Sequence, residues 1–251
     1  MPDTRDRYLP WIALRHIPGI GDHLFKLLID MFGTPDRVFS APDKELIQTR
    51  GIHSKTASCI KKNKTAVQHA GQLIDRIKRT DISIVSYADE HYPVLLRQIH
   101  DPPPYLMYTG MLVPSEPAVS MVGSRNPTSY GVRACETLSH DLGKKGLTVV
   151  SGMARGIDSY AHLGAIRSGG RTVAVLGSGL NRIYPAENRR LYHEIAGNGA
   201  VVSEFELDTK PEARNFPRRN RIIAGMSAGT CVVEAARKSG SLITARLAAE
   251  Y

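Results

Sequence analysis

The sequence has few cysteines and no long apolar run, and these two absences exclude several classes of protein. Its 251 residues include three cysteines, Cys59, Cys135 and Cys231, which lie far apart and form no CxxC pair. That spacing does not suit a disulfide framework or a structural zinc site, so we expect small core side chains in a reducing cytoplasm. A membrane-spanning helix needs about 18 or more consecutive apolar residues, and no such run occurs, so we expect no membrane partner.

Motifs of several enzyme classes are also missing or incomplete. Residues 177–179 begin a GxGxxG string, but Arg182 stands where the third glycine is required. The sequence contains neither a GxxxxGK[ST] phosphate loop nor an HExxH zinc motif, and His162 is interpreted as a packed helix residue. We therefore expect no metal, no cofactor and no catalytic residue.

One catalytic motif does match in its letters. Residues 225–229 read GMSAG, which fits the GxSxG string of a nucleophile elbow. That elbow requires a strand, a turn and a helix in this order. Here a predicted helix precedes Ser227 and a predicted strand follows it, so we predict that Ser227 is a turn residue.

The composition is that of a folded protein with a basic excess. Apolar residues make up 42% and charged residues 23%, and 33 Lys and Arg outnumber 24 Asp and Glu for a net charge of +9. The N-terminal residues 1–21 carry charges of both signs without an uninterrupted apolar core, so no secretory signal is expected. The basic excess permits either a solvated surface or a site for a polyanion.

Prolines and hydrophobic periodicity divide the chain into three parts. Five prolines lie between residues 102 and 117, where they disfavour helices. We predict a small helical domain over residues 1–80, a linker with edge strands over residues 81–117, and a larger domain over residues 118–251. The predicted edge strands are Ile82–Ser86 and Tyr105–Tyr108.

Apolar residues at three- and four-residue spacing predict helices in the first part. These helices are Leu9–Arg15, Asp22–Met31, Pro42–Gln48, Lys55–Lys61 and Ala66–Arg79. Two glycine turns, residues 17–21 and 50–53, each join two helices, and the pair resembles a tandem helix-hairpin-helix. In that motif the backbone N–H groups of the turn bind a DNA phosphate, but such hairpins also serve as packing or protein-interaction modules. Both possibilities stay open.

The larger domain alternates between apolar strands and helices. The predicted strands are Ala118–Val122, Leu147–Val150, Arg171–Leu176, Ala200–Ser203 and Thr230–Val233. The predicted helices are Gly131–Lys145, Ser159–Ser168, Glu187–Gly197, Arg218–Met226 and one that begins near Ser241. Apolar strands separated by helices are typical of a mostly parallel sheet covered on both faces. We predict an α/β, doubly wound, Rossmann-like sheet with its ligand site outside the carboxyl ends of the strands.

Glycine, serine and arginine follow the predicted strands at the edge where a ligand would bind. The turns are residues 123–125, 151–156, 177–179 and 203–204. Glycine allows a ligand to approach the backbone, N–H groups at a helix start bind an anion, and Arg125 and Arg155 add positive charge. A doubly wound fold needs glycine at such turns in any case, but that need does not account for the two arginines. The turns therefore predict a phosphate-binding edge.

Residues 209–221 form a basic segment that contains an aromatic residue. The segment has five Lys or Arg and one Glu, so it carries +4 of the net charge of +9. Most basic runs are solvated faces, but Phe216 adds a surface for base stacking, which contributes about 1–3 kcal/mol per base. Pro211 and Pro217 are expected to stiffen the segment as a loop. Phosphate neutralisation beside base stacking is typical of single-strand binding.

Six strings in the larger domain resemble the DNA-processing protein A family (DprA, also called Smf). They are MVGSRNPTSYG (121–131), VVSGMARGIDSYAHLGAI (149–166), RTVAVLGSGLNRIYPAEN (171–188), VVSEF (201–205), FPRRNRIIAGMSAGTCVVEA (216–235) and SGSLITARLAAE (239–250). They cover nearly all of residues 118–251 in unbroken order. The first part resembles, more loosely, the sterile-alpha-motif-like, helix-hairpin-helix-type domain of that family.

The resemblance implies an extended Rossmann fold in a cytoplasmic bacterial protein that binds and protects single-stranded DNA. It further implies loading of RecA during natural transformation and recombination, a homodimer through the Rossmann domain, and no established enzyme activity. Transferred by position, the DNA contacts are Arg125, Lys210, Asn215, Phe216, Arg218, Arg219, Asn220 and Arg221, and the phosphate pocket contains Gly123, Ser124, Gly152 and Arg155. Family members continue past the position of Tyr251 into another strand and usually a winged helix, so we expect either a truncated C-terminal end or a sheet that lacks an edge strand.

Two other classes of function stay open. The same fold group includes nucleotide-processing hydrolases of the lysine-decarboxylase-like and phosphoribohydrolase type, whose signature is PGGxGTxxE. Residues 228–234 keep GTxxxE, with one residue more before Glu234, and lack the PGG. Glu234 could serve a hydrolase or cap Ser239 and the next helix, and we favour the cap. The third possibility is a protein-interaction adaptor with a merely basic edge.

Overall fold

The computed structural model describes residues 4–237 and 239–251 and divides the chain into two compact units. The first unit comprises the residues up to Ala88 together with His100–Tyr105, and the second comprises Asp89–Ile99 and Leu106–Tyr251. The predicted linker contributes to both units, and the three-part division stays a prediction. Within the described ranges no helix is long and apolar enough to cross a membrane.

The first unit is largely helical. Its elements are α1 (Thr4–Arg15), α2 (Asp22–Phe32), α3 (Pro35–Ser40), α4 (Asp43–Leu46), α5 (Ser54–Lys61), α6 (Lys64–Ile77) and β1 (Ser83–Ser86). Trp11, Phe25, Leu28, Val38 and Ile60 are among the side chains of its hydrophobic core. The apolar positions of the periodic pattern thus meet in one core.

The two glycine turns of the first unit have matching geometry. Gly19 has φ +90° and Gly51 has φ +89°, in the left-handed region that glycine adopts without steric cost. A Cβ on Gly19 would lie 3.5 Å from Thr56 Oγ1 in α5, and a Cβ on Gly51 would lie 2.7 Å from Leu24 Cδ2 in α2. Each turn therefore packs on the helix that follows the other turn, as two similar helical hairpins would.

The second unit contains a mostly parallel sheet flanked by helices. Its elements are α7 (Val94–Gln98), β2 (Tyr105–Gly110), β3 (Ala118–Gly123), α8 (Ser129–Lys144), β4 (Thr148–Ser151), α9 (Ile157–Arg167), β5 (Thr172–Val175), α10 (Arg189–Asn198), β6 (Gly199–Ser203), α11 (Asn215–Gly225), β7 (Gly229–Val233) and α12 (Ser241–Glu250). The order of these strands is β2-β6-β5-β4-β3-β7, and only the β2–β6 pair among them is antiparallel. The predicted α/β Rossmann-like fold is confirmed.

The strand order creates a switch point beside β3. From β3 the chain moves through β4 and β5 to β6 in one direction, whereas β7 pairs with β3 on its other side. Ligands of doubly wound sheets bind outside the carboxyl ends of the strands at such a point. Gly123 is the last residue of β3, so the turn that contains Ser124 and Arg125 leaves the sheet there.

The cysteines pack against hydrophobic cores, as predicted. Cys135 is fully buried beside Met121 and Val149, and burial raises the pKa of its thiol to about 12. Cys231 is half-buried against the same core, and Cys59 is half-buried against the core of the first unit. All three are free thiols.

The predicted placements of His162 in a packed helix and of Ser227 between a helix and a strand are also confirmed. Nδ1 of His162 lies 2.7 Å from Oγ1 of Thr172, whose hydroxyl donates to the carbonyl oxygen of Val149. His162 is fully buried, and this burial lowers its pKa to about 3, so the ring is neutral at physiological pH. Ser227 lies between the end of α11 and the start of β7, and its hydroxyl donates to the carbonyl oxygen of Ile223 at 3.1 Å.

Candidate nucleic-acid interface

A cleft of about 730 Å³ opens in the second unit, beyond the end of β3, and we call it the strand-end cleft. The turn after β3 forms one part of its lining, and the first turns of α11 and α12 form others. The predicted site residues that line it are Gly123, Ser124, Arg125, Phe216, Arg219 and Asn220. Residues distant in sequence therefore meet at the edge where the fold places a ligand.

Arg125, Phe216 and Tyr184 form a cluster of one cation and two aromatic rings in this cleft. Cζ of Arg125 lies 5.6 Å from the centre of the Phe216 ring, and the ring centres of Phe216 and Tyr184 are 5.8 Å apart. Arg125 is exposed, and Tyr184 is 48% exposed. Within residues 4–237 and 239–251 no carboxylate forms an ion pair with Arg125, so its charge is available to an anion.

Tyr184 is the member of this cluster that the sequence analysis does not identify. It follows the 177–179 turn after β5 and lines the strand-end cleft. The sequence feature that could have identified Tyr184 is its place as an aromatic residue in the polar loop after a predicted strand. This loop lies at the same edge of the sheet as Arg125. By itself that feature does not show that the ring meets Phe216, which is 32 positions later in the chain.

The helical part of the basic segment begins three residues earlier than predicted, which corrects the prediction that Phe216 and Pro217 lie in a loop. α11 begins at Asn215 rather than at Arg218, so Phe216 and Pro217 lie in its first turn. Proline is accommodated in a first turn because its missing N–H would have no intrahelical partner there. Pro217 therefore belongs to the start of a helix, and the helix fixes the position of the Phe216 ring.

Internal ion pairs neutralise several arginines of the segment. Nη2 of Arg218 and Nη2 of Arg221 each lie 2.7 Å from Oε2 of Glu204, and Arg221 is 4% exposed. Arg214 pairs with Glu212 at 2.7 Å on the surface. The segment thus presents less free charge than its composition indicates. Arg221 holds α11 to the residue that follows β6.

Arg219 is a buried cation that joins the ends of two strands to α11. Its Nη1 donates to the carbonyl oxygen of Gly152, at 2.6 Å, and to that of Val175. Burial lowers the pKa of Arg219 to about 10 and raises the pKa of the nearby Asp158, while the attraction between the two opposes both shifts. Arg219 is therefore protonated at neutral pH, and its hydrogen bonds are internal.

Three of the predicted site residues, Arg155, Lys210 and Asn215, are placed apart from the cluster. Arg155 pairs with Glu187, whose Oε2 lies 3.1 Å from Nη2 of Arg155. Lys210 is exposed, and its carbonyl oxygen accepts from Nδ2 of Asn215 at 3.2 Å. None of the three lines the strand-end cleft in the described part of the chain. Asn215 is buried, and its side chain links the first residue of α11 to the loop that precedes the helix.

Two glycines of the strand-end turns make room for protein side chains. A Cβ on Gly177 would lie 2.7 Å from Cδ1 of Phe216, and a Cβ on Gly152 would overlap the guanidinium of Arg219. At such short distances the Phe216 ring or the Arg219 guanidinium would have to move. The two glycines therefore serve the close approach of α11 to the sheet, whether or not a ligand also approaches them.

Glu234 caps α8, which corrects the prediction that it caps Ser239 and the last helix. Its Oε2 accepts from the backbone N–H of Thr128 at 2.8 Å, and its Oε1 accepts from the Thr128 hydroxyl. These hydrogen bonds lower the pKa of Glu234. Gly131, in the first turn of α8, leaves space for the carboxylate. A carboxylate at this position complements the positive end of the helix dipole.

The comparison with known proteins decides the family. Residues 83–251 match the model of the DNA recombination-mediator protein A family. The chain is 40% identical over 246 residues to protein Smf of Synechocystis, and the match covers 96% of this chain and 62% of that protein. The chain belongs to the DNA recombination-mediator protein A family. It is also 41% identical over 171 residues to the DNA processing protein DprA of Bacillus subtilis, which covers 67% of this chain and 58% of that protein.

Two solved structures of DNA processing protein A resemble this member of the family. The Streptococcus pneumoniae protein matches with a TM-score of 0.78 and 31% identity, over 100% of this chain and 84% of that one. The Helicobacter pylori protein matches with a TM-score of 0.62 and 34% identity, over 68% of this chain and 77% of that one. The latter structure is described as giving insight into that protein's single-stranded DNA binding mode. The chain spans about three fifths of the two curated relatives it matches.

Proposed function

We propose that this chain binds single-stranded DNA in the strand-end cleft and acts in DNA processing and recombination. The observation that carries the proposal is the cluster of Arg125, Phe216 and Tyr184. An exposed guanidinium without a carboxylate partner can neutralise a phosphate, and an aromatic ring can stack on a base. Bases are free to stack on side chains in a single strand, whereas in a duplex they are stacked on one another. The H. pylori relative's described binding mode supports the same ligand.

Internal ion pairs and hydrogen bonds divide the predicted binding residues into two roles in this proposal. Arg125 and Phe216 are the side chains proposed to touch DNA in the cleft, with the backbone of Gly123 and Ser124 beside them, and the exposed Lys210 is proposed to contact the strand outside it. Arg218, Arg219 and Arg221 instead hold α11 against the strand ends through Glu204 and through carbonyl groups. Substitution of the second group is expected to act through the fold.

We further propose that the chain is a recombination mediator without catalytic activity of its own. In this proposal it acts in the cytoplasm, loads RecA onto the bound strand and dimerises through the Rossmann-like unit. The support is the description of the family as a recombination mediator. The capping role of Glu234 favours binding over hydrolysis, because the carboxylate that a hydrolase would use is engaged with Thr128.

An electrophoretic shift with an oligothymidylate tests the proposal, with duplex and free nucleotide as competitors. We expect retardation of the single strand at low salt, with log K falling by about 0.7 per log unit of salt for each phosphate neutralised. Free nucleotide is expected to compete weakly. Salt-independent binding would count against phosphate contact. Cleavage of a nucleoside monophosphate that Glu234→Ala abolishes would establish the hydrolase instead.

A substitution at Gly177 tests whether the position of Phe216 matters. In Gly177→Ala the new methyl group displaces the Phe216 ring, and overpacking of this kind costs about 1–3 kcal/mol. We expect a lower melting temperature and a several-fold weaker affinity for oligothymidylate. Gly197→Ala is the matched control, because a Cβ there meets nothing within 4 Å. Equal affinity of the two variants would show that DNA binding does not depend on the position of the ring.

A further inference from the structure

The first unit carries a cationic stretch that the strand-end cleft does not use. Residues 46–74 contain five Lys or Arg and no Asp or Glu. The stretch runs through the second glycine turn, α5 and most of α6. Its basic residues, all exposed, are Arg50, Lys55, Lys61, Lys62 and Lys64.

These cations are not neutralised in the way that the arginines of α11 are. Arg218 and Arg221 share the carboxylate of Glu204, whereas across residues 4–237 and 239–251 no ion pair involves any of these five cations. Lys61 donates to the carbonyl oxygen of Phe39 at 2.9 Å, which leaves its charge uncompensated. The excess positive charge of the first unit is therefore available to a ligand.

Two of the lysines line a groove of about 620 Å³ within the first unit. Lys55, Ser58 and Lys62 lie on one wall, at the spacing that places residues on one face of a helix. Ile17 and Pro18, from the first glycine turn, form another part of the lining. Among the described residues that line the groove there is no Asp or Glu, and no Phe, Tyr or Trp. The volume is within the range of ligand sites.

We propose that this groove binds the sugar–phosphate backbone of a nucleic acid through Lys55 and Lys62. Two ammonium groups without carboxylate partners attract phosphates, and Ser58 supplies a hydroxyl donor between them. The two imidazole rings of the lining, those of His16 and His69, already contact each other with their centres 4.4 Å apart. In this proposal the groove therefore recognises the backbone and accepts single strands and duplexes alike. A membrane surface fits less well, since membrane-binding faces combine cations with protruding apolar side chains, whereas these lysines line a concavity.

This inference rests on the proposed function only in taking nucleic acid as the ligand, and the two can fail separately. The test compares Lys55→Gln/Lys62→Gln with the control Lys144→Gln/Lys145→Gln, which removes two exposed charges from the end of α8. Each variant of the 251-residue chain is titrated with oligothymidylate and with duplex DNA over a range of salt. The groove variant is expected to bind both ligands several-fold more weakly. Its plot of log K against log salt should become shallower by about 0.7 for each single-strand phosphate that the variant no longer neutralises.

The outcomes separate the groove from the cleft. Affinities and salt slopes equal to those of the control would overturn the groove proposal, whatever Arg125→Ala does. An unaffected Arg125→Ala together with a weakened groove variant would remove the cleft and keep the groove. Vesicles of phosphatidylserine and phosphatidylcholine form the last arm. Sedimentation with vesicles that depends on the two lysines, without any effect on DNA binding, would also overturn the proposal.

Discussion

Replacing Arg125 by alanine is expected to weaken the binding of oligothymidylate roughly tenfold or more, because a hydrogen bond to a charged group contributes about 1.5–3 kcal/mol. The guanidinium is exposed, lies over the Phe216 ring and has no ion-pair partner within the described ranges. Its charge is therefore free for a phosphate. The measurement is a fluorescence anisotropy titration at fixed low salt, with the melting temperature as a check on folding.

The matched control for this prediction is Arg133→Ala. Arg133 is an exposed residue of α8 that does not line the strand-end cleft, so its loss changes the net charge equally. If both variants lose the same small amount of affinity, the effect is that of net charge and the proposed contact does not exist.

A double-mutant cycle with Phe216→Ala sharpens the same prediction. Loss of the ring is expected to cost about 1–3 kcal/mol of stacking for any base composition. Since Arg125 lies over that ring, the double variant should lose less than the sum of the two single losses. Strict additivity would show that the two side chains act at separate places.

Replacing Arg219 by methionine is expected to lower the free energy of unfolding by about 3 kcal/mol or more, because each buried polar group left without its partner costs about 1–3 kcal/mol. The substitution leaves the carbonyl groups of Gly152 and Val175 without their donor and leaves Asp158 without the nearby cation. Equilibrium unfolding in urea measures the loss. Because α11 carries Phe216, weaker DNA binding should accompany it.

The control for this second prediction is Arg214→Ala, which breaks a surface ion pair with Glu212. Exposed pairs contribute about 0–1 kcal/mol, so its stability should be close to that of the wild type. The double variant Asp158→Asn/Arg219→Met should recover part of the loss, because it removes the uncompensated carboxylate as well. Wild-type stability of Arg219→Met would contradict the role assigned to the buried guanidinium.

Periodicity and turn residues predict most of the fold. The central strands are apolar runs that end at a glycine or serine or shortly before one, so β3, β4, β5 and β6 lie close to their predicted positions. The helices α3 and α7 are not predicted, because six and five residues are too few to show a helical period. The cap at Thr34 and the proline that follows it are the signals for α3.

Less of the candidate site could be predicted, because a sequence shows charges without their partners. The segment of residues 209–221 contains five cations, but Glu204 and the buried surroundings of Arg219 become evident only when α11 is packed against the sheet. The converse holds in the first unit. There the cations of residues 46–74 are diluted in a net charge of +3 over residues 1–110.

Photo-cross-linking is the most direct test of whether single-stranded DNA binds at the cluster of Arg125, Phe216 and Tyr184. An oligothymidylate containing 5-iododeoxyuridine is irradiated with the 251-residue chain, and the modified peptide is identified by mass spectrometry. We expect adducts on Phe216 or Tyr184, which an excess of unlabelled single strand suppresses and which Arg125→Ala reduces. Adducts found elsewhere in the chain, with none on either ring, would contradict binding at the cluster.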